Sequence, residues 1–270
     1  MPPSDRVRAF HRLHESGCFV IPNPWDVGSA RLLERLRFPA LATTSSGFAW
    51  SMGRPDNGVT LKQALAHFHA IAEAVEIPVS ADFEHGFADA PDAVAANVAA
   101  AAQTGIAGLS IEDSTGDAAD PLYGFDVAVE RIRAARRAVD SSGRGVLLTG
   151  RSEGFVAGRP DLAETIRRLI AYAEAGADCL FAPGIRKLED IAAIVRAVAP
   201  KPVNVLVSGD WTTAAQLAEL GVRRISTGGA LARAAWAGFL PAAQEIATRG
   251  TFTTLSKAVA QAGDLNKLFA

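Results

Sequence analysis

The chain has few cysteines and no long hydrophobic run, and each absence excludes a class of protein. Two cysteines, Cys18 and Cys179, occur among 270 residues, and they form neither a CxxC pair nor a spacing typical of zinc sites. This usage favours a reducing, cytoplasmic location over a disulfide-stabilised secreted fold. The sequence has no run of about 18 apolar residues and no apolar signal region near its N-terminus, so it predicts no membrane span.

The chain also lacks an excess of either charge. It carries 27 Lys and Arg against 29 Asp and Glu, which gives a net charge of −2. Because no basic surface stands out, nucleic acid and anionic membranes are not expected as partners. The hydrophobic fraction of 49% is enough for one large core, and no linker divides the chain. We therefore expect a single domain over residues 1–270.

What the chain does contain is a repeated alternation of short apolar runs and longer, Ala-rich amphipathic segments. Apolar strands that alternate with helices indicate a parallel sheet covered on both faces. Several helical segments end near glycine, and Asp92 and Asp126 are the expected N-caps of two of them. The eight predicted strands lie at residues 18–23, 40–45, 78–83, 107–112, 145–150, 179–184, 202–207 and 223–228.

Eight such units close most simply into an α/β fold of the (β/α)8 barrel type. The alternative is an open doubly wound sheet, but the first βα turn reads "NPWDVGSA" and lacks the GxGxxG pattern of dinucleotide-binding folds. The first 16 residues predict an extra N-terminal helix, and residues 249–270 predict a C-terminal helical extension.

Acidic side chains gather at the predicted strand ends, where barrel enzymes form their active sites. Asp82 and Glu84 lie two residues apart at the end of the third strand, which would place both on one side of the pleat, and Glu112 ends the fourth. Converging carboxylates repel unless a cation or protons neutralise them. We expect a metal site, with a proton-sharing or structural network as the alternative. Oxygen ligands favour Mg²⁺, or Mn²⁺ as a substitute.

Two other features point to anion binding. Arg151 ends the fifth strand, where its guanidinium could grip a substrate carboxylate or phosphonate as a fork. The turn Ser46-Gly47-Phe48 could offer backbone N–H groups to an anion. The alternative for this turn is a plain loop that uses Gly47 for a positive φ. His85 is expected beside the acidic cluster without being a ligand, because it points away from Glu84.

Six segments together resemble the isocitrate lyase / phosphoenolpyruvate mutase superfamily, over almost the whole chain from about Arg6 to about Glu245. They are "NPWDVGSARLLE", "TTSSGFAWSMGRPD", "SADFEHGFAD", "GLSIEDS", "LLTGRSEGF" and "GADCLFAPG". The resemblance implies a (β/α)8 barrel with its last barrel helix swapped between subunits, in a homotetramer that is a dimer of dimers. It also implies a Mg²⁺-dependent enzyme that acts on small carboxylates through an enolate.

The resemblance assigns metal-site roles to four acids. Asp82 matches the nearest metal ligand of the family's acidic motif, and Glu84 stands where aspartate is commoner. Glu112 would contribute directly or through water. Asp56 matches the acid of a Gly-x-Pro-Asp element and would join the metal's water shell.

It assigns substrate contacts as well. The family's turn for the substrate carboxylate matches Ser46, Gly47 and Phe48, and its fifth-strand arginine matches Arg151. Asn204 lies where the family places a polar residue on the seventh strand.

The chain departs from the family in the loop after the fourth strand. That segment reads "EDSTGDAADPLYGFD" and lacks the Lys-Lys-Cys-Gly-His sequence of the isocitrate and methylisocitrate lyases, so it resembles the phosphonomutase-like branch. The catalytic acid–base group is then open. Tyr123 lies in this loop, and His85 and Glu153 lie nearby. The candidate catalytic residues are Arg151, Glu112 and Tyr123, with residues 114–125 as the expected lid.

The expected activity is a carbon–carbon lyase on a small 2-oxo or 2-hydroxy carboxylate, by retro-aldol cleavage or decarboxylation with release of an oxoacid. One alternative is a phosphonate P–C mutase or hydrolase with a phosphonopyruvate-like substrate. The other is a non-catalytic homologue that binds a metal and an oxoacid.

Overall fold

A computed structural model describes residues 4–269 and shows a parallel sheet curled into a barrel. The strands pair in the order β1-β8-β7-β6-β5-β4-β3-β2, and the ring is closed by the Ala42 N–H, which donates to the Pro22 carbonyl at 3.1 Å. The (β/α)8 prediction is therefore confirmed. The strands are β1 (Phe19–Ile21), β2 (Leu41–Ala42), β3 (Val79–Asp82), β4 (Gly108–Glu112), β5 (Leu147–Arg151), β6 (Cys179–Phe181), β7 (Val203–Leu206) and β8 (Arg224–Ser226).

Helices surround the sheet, and the extra N-terminal and C-terminal helices are present as predicted. The helices are α1 (Asp5–Glu15), α2 (Val27–Arg35), α3 (Ser45–Ser51), α4 (Leu61–Ala74), α5 (Pro91–Ala101), α6 (Phe125–Ser142), α7 (Leu162–Glu174), α8 (Leu188–Val198), α9 (Ala214–Glu219), α10 (Ala230–Arg249), α11 (Thr253–Ala262) and α12 (Leu265–Phe269). The predicted domain bounds include residues 1–3 and 270, which lie outside the described part of the chain.

The two predicted N-caps are each wrong by two positions. Asp92 and Asp126 lie in the first turns of α5 and α6, whose N-caps are Ala90 and Gly124. In α5 the reason is Pro91, whose fixed φ and missing N–H suit the first helical position. Both carboxylates still lie at the positive end of the helix dipole. The predicted glycine stop holds at Gly143, which closes α6 in the left-handed conformation.

The strands divide their side chains between two cores. Residues such as Leu109 and Leu148 point outward and pack under the helices, while Phe19, Leu147 and Cys179 point into the barrel near the strands' N-terminal ends. Helix α1 plugs that end of the barrel with Phe10. Phe10 fits there because Gly108 has no side chain. A Cβ at this position would lie 2.5 Å from the Phe10 ring.

The C-terminal helices leave apolar side chains at the surface. Trp236, Phe239 and Leu240 of α10 are exposed, as are Phe252 and Val259 further along. Helix α12 lies against α2, where the Arg35 guanidinium donates to the Leu268 carbonyl at 2.6 Å. Among the helices of residues 4–269, none has both the length and the apolar content needed to cross a membrane.

Candidate active site

Arg151 stands at the centre of the barrel mouth, at the C-terminal end of β5. Its Nη1 lies 3.1 Å from Asp82 Oδ1 and 3.0 Å from Glu112 Oε2, and its Nε donates to Glu153. The acids come from β3, β4 and the loop after β5, and the pairing of these three neighbouring strands brings them together. The sequence predicted a guanidinium open to a substrate carboxylate. In the structure, three protein carboxylates surround it.

Asp82 is fixed by the edge of the neighbouring strand. Its backbone N–H donates to Thr43 Oγ1 at 2.9 Å, and its Oδ2 accepts the Ser45 N–H at 2.9 Å. One carboxylate oxygen therefore serves the loop after β2, while the other faces Arg151.

The sequence predicts Glu84 at the end of the third strand, but in the structure it lies outside that strand. Strand β3 ends at Asp82, and Glu84 occupies a left-handed turn with φ 48°, a conformation that is uncommon outside glycine. It remains beside the cluster and is 3% exposed. Burial first, and then the charges on Asp82 and Asp56, raise the pKa of Glu84 to about 8 against the opposing effect of Arg151.

The mouth carries more negative than positive charge. Burial is also the first cause of a pKa well above the usual value at Glu112, where Arg151 opposes it and Glu153 adds to it. At Asp56, on the rim, partial desolvation and the charge on Asp82 raise the pKa. These acids share one guanidinium, so they favour a second cation or protons.

The donor set fits Mg²⁺ held partly through water. Within residues 4–269 no three His, Cys, Asp or Glu side chains are grouped closely enough to enclose an ion by themselves. Mg²⁺ usually keeps several waters and binds one or two carboxylates together with the substrate. An excess of buried carboxylates without a closed cage matches that requirement.

Two adjacent cavities open at the mouth. An inner cavity of about 310 Å³ runs into the barrel, and an outer one of about 280 Å³ lies under the loop after β4. They share Ser45, Asp56, Arg151 and Val156, so a ligand at the acidic cluster can reach both. A larger, open depression of about 650 Å³ lies at the opposite end, beside α1, far from this chemistry.

The predicted anion-binding turn at Ser46-Gly47-Phe48 is the first part of α3. The Gly47 N–H donates to the N-cap Thr44 Oγ1 at 3.4 Å, so this amide already has a partner. Gly47 is needed for space, because a Cβ there would lie 3.0 Å from Trp25 and 3.2 Å from Ala232. Phe48 stacks on His67 with ring centroids 3.9 Å apart. Of the three, Ser46 is the residue that lines the inner cavity.

Tyr123 and Asn204 have different surroundings. The Tyr123 hydroxyl donates to Asp89 at 2.5 Å, Arg131 lies 4.0 Å from its ring centroid, and the residue lines neither cavity in the described chain. Burial and the bond to Asp89 raise the pKa of Tyr123 to about 12. Asn204 lines the inner cavity, where its Nδ2 donates to Ser226 Oγ at 3.0 Å. The structure thus brings Asn204, but not Tyr123, to the site.

The sequence analysis missed Arg224, which lines the inner cavity from β8. It pairs in register with Asn204, and both side chains point into the barrel. The signal was present in "RRISTG", where Arg224 and Ser226 alternate with an outward-facing Ile225. Arg224 was missed because it lies at the start of β8, whereas the site residues were sought at the C-terminal ends of the strands.

Buried carboxylates and an arginine lie together at the C-terminal ends of the barrel strands, which is where (β/α)8 enzymes have their active sites. The fold and the site therefore define a (β/α)8 barrel enzyme. Residues 10–247 match the family model described as phosphoenolpyruvate phosphomutase. The chain belongs to this family, within the PEP mutase/isocitrate lyase superfamily, which confirms the resemblance seen in the sequence.

Individual relatives support the same family assignment. The chain is 37% identical to an uncharacterised protein of Mycobacterium tuberculosis (strain ATCC 25618 / H37Rv), over 82% of this chain and 81% of that protein. It is 30% identical to the oxaloacetate decarboxylase of Paraburkholderia xenovorans (strain LB400), over 83% and 75%. Among solved structures, a Burkholderia cenocepacia J2315 protein described as a lyase/mutase is 49% identical, with a TM-score of 0.93 over 98% and 96% of the chains. A 2,3-dimethylmalate lyase is 27% identical, with a TM-score of 0.83 over 97% and 91%.

Proposed function

We propose that the protein is a Mg²⁺-dependent carbon–carbon lyase that acts on a small 2-oxo or 2-hydroxy carboxylate through an enolate and releases an oxoacid. The observation that carries this proposal is the cluster of Asp82, Glu112 and Glu153 around Arg151, which leaves excess buried negative charge at the mouth of a cavity. The relatives named as oxaloacetate decarboxylase and 2,3-dimethylmalate lyase support it.

The residues proposed to hold Mg²⁺ are Asp82, with Glu84, Glu112 and Asp56 acting directly or through water. Bound there, the cation would supply electrostatic stabilisation of a developing enolate. Arg151 holds Asp82 and Glu112 in place and limits their mutual repulsion. Substitution of Mn²⁺ is expected, since it accepts the same oxygen donors.

The cavity walls supply positioning and the exclusion of water. Ser46 and Asn204 are the proposed polar contacts, and Val156, Phe181 and Pro183 line the apolar side. The loop after β4 closes on itself through a bridge between Ser114 and Leu122 and roofs the outer cavity. We propose this loop as the lid.

Glu112 is the proposed acid–base group. It lines the outer cavity beside Glu153, and burial raises the pKa of both carboxyls, which favours their protonated forms. Tyr123 is less well placed, because its hydroxyl is bonded to Asp89 on the other side of the loop.

The second candidate function is P–C chemistry on a phosphonopyruvate-like substrate, which the matching family model favours. A phosphonate carries more charge than a carboxylate and calls for additional cations near the lid. Residues 114–125 contain no lysine or arginine, so we rank this function second. A non-catalytic metal- and oxoacid-binding role ranks third.

We also propose a homo-oligomer, a dimer of dimers with α10 exchanged between subunits. The support is the exposed apolar surface of the C-terminal helices, including Trp236, Phe239 and Leu240. The two free cysteines, Cys18 and Cys179, support a cytoplasmic location.

A turnover screen tests the lyase proposal. Isocitrate, methylisocitrate, 2,3-dimethylmalate, oxaloacetate and phosphonopyruvate are each incubated with Mg²⁺ or with EDTA, and the released oxoacid is measured. Mg²⁺-dependent release from a carbon–carbon substrate is the expected result. Reaction of phosphonopyruvate alone would establish the second candidate, and silence across the panel with Mg²⁺ bound would leave the non-catalytic role.

A further inference from the structure

The barrel holds a second arginine that the acidic mouth does not use. Arg224 lies on β8 and lines the same inner cavity as Arg151. It lies deeper, because its guanidinium contacts His14 of α1 and Thr149, which precedes Arg151 by two residues on β5. Its residue surface is 5% exposed. The guanidinium therefore sits in the floor of the cavity, between the mouth and the apolar plug of α1.

All of the hydrogen-bond partners of Arg224 are neutral. Its Nε donates to Asn204 Oδ1 at 3.0 Å, its Nη2 donates to Thr149 Oγ1 at 3.1 Å, and its Nη1 lies 3.3 Å from His14 Nε2. In the described chain no carboxylate pairs with it, whereas three carboxylates surround Arg151. The cation is buried without a counter-ion.

The layer around Arg224 is polar and small, where a (β/α)8 barrel is usually filled by bulky branched side chains. Ser80 of β3 and Ser110 of β4 line the cavity here, and Thr149 of β5 lies in register with Ser110. These short side chains leave the space that makes the cavity deep. A small polar chamber with an unpaired guanidinium is suited to an anion.

We propose that Arg224, with Ser80 and Ser110, forms an anion subsite that binds the second carboxylate of a dicarboxylate substrate. A buried charge without a partner is unfavourable, and an anion that enters the chamber removes this cost. The inference rests on the proposed lyase function, because it assumes that the first carboxylate binds at the acidic mouth. It narrows the substrate class to diacids.

The position of this cation also distinguishes the two kinds of lyase reaction. In retro-aldol cleavage of a 2-hydroxy diacid, the hydroxyl proton passes to a mouth carboxylate, the C2–C3 bond breaks, and its electron pair moves to C3 and into the second carboxylate. The same carboxyl group then returns the proton to C3, which gives a 2-oxo acid and a carboxylic acid. A guanidinium stabilises the added charge on the second carboxylate. Decarboxylation would instead require that carboxylate to leave as neutral CO2, so the subsite favours retro-aldol cleavage.

The test compares malate with lactate, which lacks only the second carboxylate. Calorimetry in the presence of Mg²⁺ is expected to show that the wild-type protein binds malate roughly 10- to 100-fold more tightly. Arg224→Met is expected to bring this ratio below about 3, and Arg224→Lys to restore part of it. Arg223→Met is the matched control, because the neighbouring Arg223 donates to the Gly17 carbonyl outside the barrel and should keep the wild-type ratio.

A wild-type protein without preference for malate, or a folded Arg224→Met protein that keeps it, would overturn the subsite. If Arg224→Met does not fold, Ser110→Val narrows the same chamber and should lower the preference, and an unchanged preference would count against the subsite. Turnover is measured separately. A protein that selects malate through Arg224 but cleaves no diacid would refute the lyase proposal and support the subsite, whereas diacid cleavage with unchanged selectivity in Arg224→Met would refute the subsite alone.

Discussion

The His14 ring and the Arg224 guanidinium face each other inside the barrel, with Nε2 3.3 Å from Nη1. The other ring nitrogen of His14, Nδ1, lies 2.8 Å from the Phe10 carbonyl oxygen. Because a carbonyl can only accept, Nδ1 carries the proton and Nε2 accepts from the guanidinium. Burial and then the charge on Arg224 lower the pKa of His14 to about 3. The imidazole is therefore neutral, which keeps the floor of the cavity singly charged.

This pairing predicts a loss of stability in mild acid. In the unfolded chain His14 takes up a proton below its ordinary pKa of 6.5, whereas the folded chain does not until about 3, so stability falls as the pH drops below 6.5. At pH 5.5 the protonation of His14 in the unfolded chain lowers the free energy of unfolding by about 1.4 kcal/mol. Urea unfolding of His14→Gln at several pH values should show a smaller loss than the wild type. The exposed His69→Gln serves as control and should keep the wild-type slope.

The acidic mouth predicts a metal-binding defect without unfolding. Asp82→Asn should weaken Mg²⁺ binding at least about 10-fold, since the amide lacks the charge that holds the cation. Calorimetry measures the affinity, and circular dichroism checks the fold. Asp92→Asn, an exposed change in the first turn of α5, should bind as the wild type does. Unfolding of Asp82→Asn with no effect of Mg²⁺ on either protein would assign the cluster a structural role.

Arg131 braces the loop that carries Glu84. It is 1% exposed, and it donates to the carbonyls of His85, Ala88 and Asp89. Arg131→Met leaves these partly buried acceptors without their donor and should lower the free energy of unfolding by about 3 kcal/mol. Arg133→Met on the exposed face of α6 should cost less than about 1 kcal/mol. Denaturant titration distinguishes the two, and equal small losses would show that the loop does not depend on this brace.

The close packing of α1 against Gly108 predicts that a larger residue at this position destabilises the fold. Gly108→Ala would place a methyl group 2.5 Å from Phe10 and 3.3 Å from the Leu147 carbonyl oxygen, so the helix must shift. We expect a loss of about 1–3 kcal/mol in unfolding free energy. Gly124→Ala, where nothing lies within 4 Å, is the control and should be close to neutral. A wild-type midpoint for Gly108→Ala would mean that α1 moves freely.

The sequence predicted the eight strands well, because apolar runs bounded by helical periodicity are a local signal. The site was harder to predict, because it depends on which side chains meet after the barrel closes. Arg151 lies at the expected strand end, yet its three carboxylate partners come from separate parts of the chain. Glu84 lies outside the strand because of its positive φ, which no residue pattern in the sequence predicts. Arg224 was missed because its importance lies in the absence of a carboxylate partner among the described residues, which spacing along the chain does not reveal.

The seam between β1 and β2 has a consequence for how the barrel deforms. Other neighbouring strands share between two and five register pairs, whereas β1 and β2 form no ladder in the described chain. At this seam the Ala42 N–H donates to the Pro22 carbonyl, and Asn23 Nδ2 donates to the Thr43 carbonyl. Ile21, Asn23 and Ala42 line the inner cavity at this seam. The circumference of the barrel can therefore widen there with little loss of hydrogen bonding. A wider ring would admit substrates with bulkier carbon chains, and it would also move the Thr43 and Ser45 groups that hold Asp82.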